Sequence, residues 1–331
     1  MNKEQSIIPS TPLRLLFVGT GDIGIPALRF LAANHSLLGV LTQPDRPAGR
    51  HRELQPPAIK EEILRIAPAL PLLQPESPRL PEVSSWIKNL APEVIVTMAY
   101  GRILPRELLV IPTLACLNIH ASLLPRHRGA SPIQMAIASG DQESGITIMY
   151  MAEGLDTGDI LLEKKLTLRR RETSGSLSAR LAKLAPVALA EALDVLAQGK
   201  APRLPQNHAL ATVTQKITRE ETLLDWRKPA RELECTIRSL QPRPGALATL
   251  PLACRDALLL KIHSALVVRR MKRVGVPGTI LRSDARGIVV ACGEGGLLLR
   301  EIQPEGKGRM HSAAFARGKA LAIEDSETLR L

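Results

Sequence analysis

Two polar side chains, Asn118 and His120, interrupt the otherwise apolar run ACLNIHA at 115–121. Alternate residues of a strand share a face, so the carboxamide and the imidazole point the same way near the carboxyl end of that run. The chain continues as SLLPRHRG, a loop expected to carry Arg126 and Arg128 toward solvent. Further on, GLDTGDI sets Asp156 between Gly154 and Gly158, and glycines at such places let the backbone approach a ligand closely. An amide and an imidazolium can both donate to an oxyanion. A carboxylate can orient the histidine and hold a water that moves protons. Together the three suit acyl-type transfer. No G-x-S-x-G elbow is present and no cysteine stands beside the histidine, so covalent catalysis has no evident nucleophile. The simplest chemistry is direct attack by a substrate amine on a bound acyl donor. Singly, His120 reads better as a satisfied core histidine and Asn118 as a strand-end cap. It is the trio, with two glycine-rich loops, that marks a candidate site.

A second motif points elsewhere. In LLFVGTGDIGIPALRFLA (15–32), Gly19, Gly21 and Gly24 match G-x-G-x-x-G. A dinucleotide site also needs an acidic residue at the end of the second strand, to bond the ribose. That strand, LLGVLT (37–42), ends in Thr42 and Gln43, and Asp45 falls inside a proline-rich loop. Asp22 puts a carboxylate where pyrophosphate would sit, while serving as an N-cap for the helix that follows. The glycines are read as a tight strand-to-helix turn, with an NAD-binding oxidoreductase as the rival.

The elements around these residues set the fold class. Apolar strands are expected at 14–18, 37–42, 71–73, 93–99, 115–121, 145–152 and 159–168. Helices are expected at 23–33, 58–67, 81–90, 130–140 and 173–198. Continuous apolar strands alternating with helices indicate an α/β domain: a Rossmann-like, doubly wound, mostly parallel sheet, with function at the carboxyl ends of its strands. The stretch QPDRPAGRHRELQPP (43–57) is a long polar loop, and GKAPRLPQNHALATV (199–213) resembles a linker broken by Pro202 and Pro205. Beyond it, one helix at 229–239 precedes strand-like segments near 245–250, 257–268, 276–282, 287–292 and 296–302, which suggest a small OB-like β-barrel. The expected domains are 1–200, a linker at 201–212, and 213–331.

The 331 residues are 45% hydrophobic but only 2% aromatic, so leucine, isoleucine, valine and alanine must fill the cores. A net charge of +12 suggests a polyanionic partner, a basic surface kept for solubility being the bland alternative. Cys116, Cys235, Cys254 and Cys292 form no C-x-x-C pair, and they are read as reduced thiols without zinc or disulfides. MNKEQSIIPSTPLR has no apolar leader and no run approaches about 18 apolar residues. No membrane segment is expected, and a cytoplasmic monomer is.

Beyond these physical readings, NIHASLLPRHRGASPIQ with GLDTGDI resembles the signature of the 10-formyltetrahydrofolate-dependent formyltransferases. TQPDRPAGR (42–50), AYGRILP (99–105), ITREETLLDW (217–226) and IRSLQPRPGA (237–246) are similar to the branch whose acceptor is the methionyl amine of initiator tRNA. The resemblance implies 10-formyltetrahydrofolate as co-substrate, no metal, and methionyl initiator tRNA as partner. It implies that Asn118, His120 and Asp156 are catalytic. Asn118 and His120 would stabilise an oxyanion, and Asp156 would assist proton transfer. Ser122, Leu123, Leu124 and Pro125 match the folate-binding segment, and Tyr100, Gly101, Arg102, Ile103 and Leu104 should line the same pocket. Arg46, Arg50 and Arg52 match a basic loop that contacts the acceptor stem. Lys261, Arg269, Arg270 and Lys272 are expected to track tRNA phosphates, although VVRRMKRVG reads equally as a solvated hairpin tip.

The chain departs from the family pattern at several points. Gly21 stands where a proline is usual, and His127 and Arg243 stand where tryptophans are. His51-Arg52-Glu53 replaces a Gly-Lys-Lys run. Two aromatic platforms and a cation or two are missing, which puts the mode of RNA binding in doubt but leaves the trio untouched. A small-amine formyltransferase of the same fold and a non-catalytic tRNA-binding protein are the remaining alternatives.

Overall fold

The structure, a computed structural model, describes residues 12–49, 53–252, 255–268, 275–318 and 321. Contacts divide it into two compact units. The first takes the described residues up to Pro132, with Glu143–Thr167 and Ser178–Gln215. The second takes Ile133–Gln142, Leu168–Leu177 and the described residues from Lys216 onward.

The first unit is built on seven strands: β1 (Arg14–Gly19), β2 (Ser36–Leu41), β3 (Leu72–Leu73), β4 (Val94–Met98), β5 (Ala115–His120), β6 (Glu143–Tyr150) and β7 (Ile160–Thr167). Their order is β7-β6-β5-β4-β1-β2-β3. The pairs from β3 to β5 are parallel, whereas β6 runs antiparallel to β5 and β7 antiparallel to β6. The expected Rossmann-like, mostly parallel sheet is therefore present. Leu15, Leu16, Phe17 and Val18 of β1 and Val94, Ile95 and Val96 of β4 are buried, as continuous apolar strands covered on both faces must be. The edge strand β7 instead alternates half-buried and exposed positions from Leu162 on, with Leu161 buried.

Local details differ from expectation. Asp22 does not cap the first helix. It opens a short 3-10 turn, Asp22–Gly24, and the helix Ile25–Asn34 begins after Gly24 with a proline in its first turn. Pro26, with its fixed φ, sets the start without a side-chain cap. The polar loop 43–57 holds a short antiparallel pair, Arg46–Ala48 with Glu53–Gln55.

In the second unit six strands form an antiparallel sheet: β8 (Ala246–Leu252), β9 (Arg255–Val268), β10 (Ile280–Asp284), β11 (Gly287–Ala291), β12 (Gly296–Pro304) and β13 (Met310–His311). The order is β8-β9-β12-β11-β10, with β13 on β12. Among the described residues no pairing closes this sheet into a barrel. Helix Ala230–Ser239 contributes Leu233 and Ile237 to a core with Leu260, Ile262, Ile288 and Leu299. Cys116, Cys235 and Cys292 are buried free thiols, and Cys254 lies outside the described residues. Among the described residues no helix is long and apolar enough to cross a membrane.

Candidate active site

Strand β5 carries Asn118 and His120 between a parallel and an antiparallel neighbour, and the Asn118 side chain is held from the parallel one. Thr97 of β4 lies opposite Asn118. Its hydroxyl donates to Asn118 Oδ1 at 2.7 Å, so the amide oxygen is occupied and Nδ2 is turned to the other side. There Nδ2 meets Asp156 Oδ1 at 3.4 Å. His120, only 5% exposed, has Nε2 3.0 Å from the His127 carbonyl oxygen and Nδ1 3.5 Å from Asp156 Oδ2. The three polar groups singled out in the sequence thus converge, with a carboxamide N–H and a ring nitrogen on one carboxylate. Both contacts to the carboxylate sit at the long limit of hydrogen bonding, whereas those behind the two side chains are short.

Asp156 is itself tightly held. Its φ is +51°, a left-handed conformation that costs a non-glycine residue of order 1 kcal/mol or more. The Gly129 N–H donates to its Oδ2 at 2.8 Å. The Gln206 amide donates to its carbonyl at 2.9 Å and to that of Gly158 at 2.7 Å. Gln206, 6% exposed, in turn accepts from Arg128 Nε at 3.1 Å and Nη2 at 2.6 Å, and Nη2 lies 3.1 Å from His208 Nδ1. Arg126 is exposed as expected, but Arg128 is a correction. It is 6% exposed because Gln206 and His208 supply the polar partners its burial demands.

Residues 128–129 pair in parallel with Val213–Thr214. Gly129, at φ +105°, has no room for a Cβ, which would overlap the Thr214 carbonyl. The same holds at Gly158, where a Cβ would overlap the Tyr150 carbonyl. That glycine admits a neighbouring strand rather than a ligand. The Arg203 guanidinium lies 3.7 Å from the centre of the Tyr150 ring, a cation–π contact. Residues 203–214, linker-like in sequence, are thus stitched into the first unit beside Asp156.

The other expected residues fall as follows. Thr147, opposite His120, donates to the Ser122 carbonyl at 2.7 Å and accepts from the Leu124 N–H at 3.2 Å. Ser122 donates to the Arg126 carbonyl at 2.7 Å. The turn Ser122–Pro125 is therefore anchored directly after His120; Leu124 is buried, Leu123 and Pro125 half-buried. Tyr100 and Leu104 are buried in an apolar cluster with Leu16, Val18 and Leu108. The Tyr100 carbonyl accepts from Thr20 at 3.1 Å and Gln43 at 2.6 Å. Gly101 and Ile103 are exposed and Arg102 half-exposed. Arg46 is exposed and paired with Glu76 at 3.1 Å. Lys261 is half-exposed on β9. Arg50, Arg52, Arg269, Arg270 and Lys272 lie outside the described residues.

Cys116 precedes Asn118 by two residues on β5, but burial pushes its thiol up to about 12, so it is no thiolate at neutral pH. Among the described residues no group of three or more His, Cys, Asp or Glu gathers to hold a metal.

This geometry sits within a known family. Residues 16–193 match the formyl transferase family and residues 216–320 its C-terminal domain. The chain belongs to the formyl transferase family. The methionyl-tRNA formyltransferase of Methylacidiphilum infernorum is 44% identical over 314 residues, which is 94% of this chain and 97% of that protein. The enzyme of the same name from Akkermansia muciniphila is 42% identical over 306 residues, 92% and 96% of the two chains. Among solved structures, HypX from Aquifex aeolicus in complex with tetrahydrofolic acid shares the fold with a TM-score of 0.61 at 17% identity. That match covers 95% of this chain and 49% of that one.

The parts that three residues play around this trio escaped the sequence reading. Thr97 becomes visible only when β4 and β5 are put in register. Arg128 has the composition of a surface loop residue. Gln206 lies 50 residues from Asp156, in a proline-broken stretch with no periodicity to draw attention to it.

Proposed function

We propose that this chain moves the formyl group of 10-formyltetrahydrofolate to the free α-amino group of methionine esterified to initiator tRNA. The observation that carries the reading is the meeting of Asn118, His120 and Asp156, in a chain that matches enzymes of that name almost end to end.

The residues fit the co-substrate. Ile103, 64% exposed, offers an apolar surface for a flat ring, beside Gly101 and the half-exposed cation Arg102, which suits an anionic tail. The co-substrate supplies an activated formyl carbon, and the rest falls to the chain's own groups. The amine attacks that carbon and a new C–N bond forms. As the formyl oxygen becomes negative, Asn118 Nδ2 and His120 Nδ1 exchange their long contacts with Asp156 for short ones to that oxygen. Asp156, held by Gly129 and Gln206, carries the amine proton through a water to the nitrogen whose bond to the carbon breaks. Thr97 and Gln206 act as positioning residues.

In this reading 1–200 form the catalytic domain, 201–212 the connection and 213–331 the tRNA-binding domain of a cytoplasmic monomer. Support for an OB-like barrel comes from β9. It pairs with β8 along its first part and with β12 along its last, and its register breaks between Ile262 and Ala265, as in strands that bend round a small barrel. Arg46, Arg50, Arg52, Lys261, Arg269, Arg270 and Lys272 are the proposed RNA contacts.

The test is formyl incorporation from 10-formyltetrahydrofolate into charged initiator and elongator tRNAs. Formylmethionyl initiator tRNA is expected. Formylation of neither tRNA, or of a small amino sugar or nucleotide amine in preference, overturns the reading.

A further inference from the structure

The segment Leu168–Leu177 precedes most of the long helix Ser174–Ala197 in sequence, yet it belongs to the second unit. It opens with three consecutive arginines, Arg169, Arg170 and Arg171, all exposed. The next residues tie it to the turn at 241–245. The Gly175 N–H donates to the Gln241 carbonyl at 2.9 Å and the Ser174 hydroxyl to the same oxygen at 2.5 Å. Arg238 donates to the Glu172 carbonyl at 2.8 Å. The turn carries the exposed Arg243. It is bound to β9, where the Gln241 amide donates to the Ile262 carbonyl at 2.9 Å, and the Lys261 side chain packs against Gly245. One short stretch of surface thus gathers Arg169, Arg170, Arg171, Arg243 and Lys261 from three distant parts of the sequence.

Two nearby carboxylates are engaged with other groups. Glu172 is buried and accepts from the Ser176 hydroxyl at 2.5 Å and the Arg169 N–H at 3.1 Å. Glu234 pairs with Arg238 at 2.8 Å. Among the described residues none of the five cations has an ion-pair partner. A cluster of unpaired, like-charged side chains repels itself and is relieved by a polyanion of regular charge spacing.

We infer that this face docks an RNA sugar-phosphate backbone, with the Arg169–Arg171 run as its principal phosphate contact. The inference rests on the tRNA-acceptor reading above and adds Arg169, Arg170, Arg171 and Arg243 to the contact already proposed for Lys261 of β9. The contact is electrostatic, so its signature is the salt dependence of binding, which falls by about 0.7–0.9 in log–log slope per phosphate contact removed.

The full chain is compared with a variant bearing R169A, R170A and R171A and with one bearing R169K, R170K and R171K. Binding of initiator tRNA is measured from low to moderate monovalent salt, and formylation kinetics are measured with methionyl initiator tRNA. The alanine variant is expected to bind roughly tenfold more weakly or worse, with a slope shallower by about two to three. Its loss appears in KM for the tRNA, and the lysine variant retains the wild-type slope. An alanine variant with the wild-type Kd and slope overturns the inference while wild-type formylation still stands. So does a loss of affinity with the slope unchanged. A wild-type chain that formylates no tRNA overturns the functional reading instead, and tRNA binding by the same three proteins still decides the surface.

Discussion

The surroundings of Asp156 and the cationic face of the second unit solve opposite problems. Around Asp156 nearly every polar atom is answered inside the protein: Thr97 on Asn118, the His127 carbonyl on His120, Gly129 and Gln206 on Asp156, Gln206 again on Arg128. At Arg169–Arg171 and Arg243 the charges are left open to solvent. The first arrangement makes position decisive, because buried groups lose much when a partner is removed. The second makes the number of charges decisive and tolerates movement. Substitutions in the first region should therefore lower kcat, and those in the second should raise KM and flatten the salt response.

The largest effect is expected within the trio. Removing one oxyanion donor typically costs about 10²–10³ in rate. His120→Ala should lose at least that much kcat while still folding, and Asp156→Ala, which also removes the proposed holder of the water, should be as inactive. Single-turnover formylation measures this. Wild-type turnover in either variant removes the basis of the mechanism.

Gln206→Ala should follow, with a fall in kcat of about 10- to 100-fold. It removes a donor from two carbonyls and leaves the buried Arg128 guanidinium with His208 but without the Gln206 oxygen, each loss worth about 1–3 kcal/mol. Some stability is lost as well, so the discriminating comparison is Gln206→Glu. The carboxylate still accepts from Arg128 and preserves the packing, but it cannot donate to the Asp156 carbonyl. A stable Gln206→Glu protein with low kcat and near-normal KM identifies a residue that positions Asp156. Normal kcat in that variant would reduce Gln206 to a packing residue.

The same contrast explains what could be read from the sequence. Apolar strand runs such as LLFV and VIV disclose a buried parallel sheet, and two polar residues on one such strand disclose a site, because burial of polar groups needs a reason. Long-range satisfaction is invisible by comparison. Arg128 looked solvated because nothing near it in sequence announces Gln206. The 199–213 stretch looked like a tether because hydrogen bonding to other segments, not periodicity, orders it. Asp22 looked like a cap because its residue type is right, whereas Pro26 had already fixed where the helix begins. In the second unit, alternation along β8 to β12 announced strands, but closure of a sheet depends on register and curvature, which side-chain pattern alone does not determine.

Thr97→Val tests the weaker end of the site network. Its hydroxyl donates to Asn118 Oδ1 at 2.7 Å, and valine keeps the shape. Losing a net 1 kcal/mol or so of orientation corresponds to about a fivefold fall in kcat, with KM for either substrate little changed. Thr97→Ser restores the donor and should recover most of the rate. Equal kinetics in all three proteins would show that the Asn118 amide needs no help from β4.

The smallest expected effect concerns Cys116, the one residue that turns the comparison into a question of mechanism. It shares a face of β5 with Asn118 and His120 by strand alternation, the place a nucleophile would occupy if the formyl group passed through the protein. Its environment argues otherwise. The thiol touches Met151 Sδ at 3.6 Å, and burial pushes it up to about 12, so it stays protonated several pH units above neutrality. The proposed direct attack of the amine on the donor asks nothing of this thiol. Cys116→Ala should keep kcat within about twofold, the volume change being absorbed as a modest loss of stability. Iodoacetamide at pH 7.5 should leave activity intact. Inactivation that tracks alkylation of Cys116, or a formylated cysteine trapped during turnover, would replace direct transfer with a two-step route and would make Asp156 a base for that thiol.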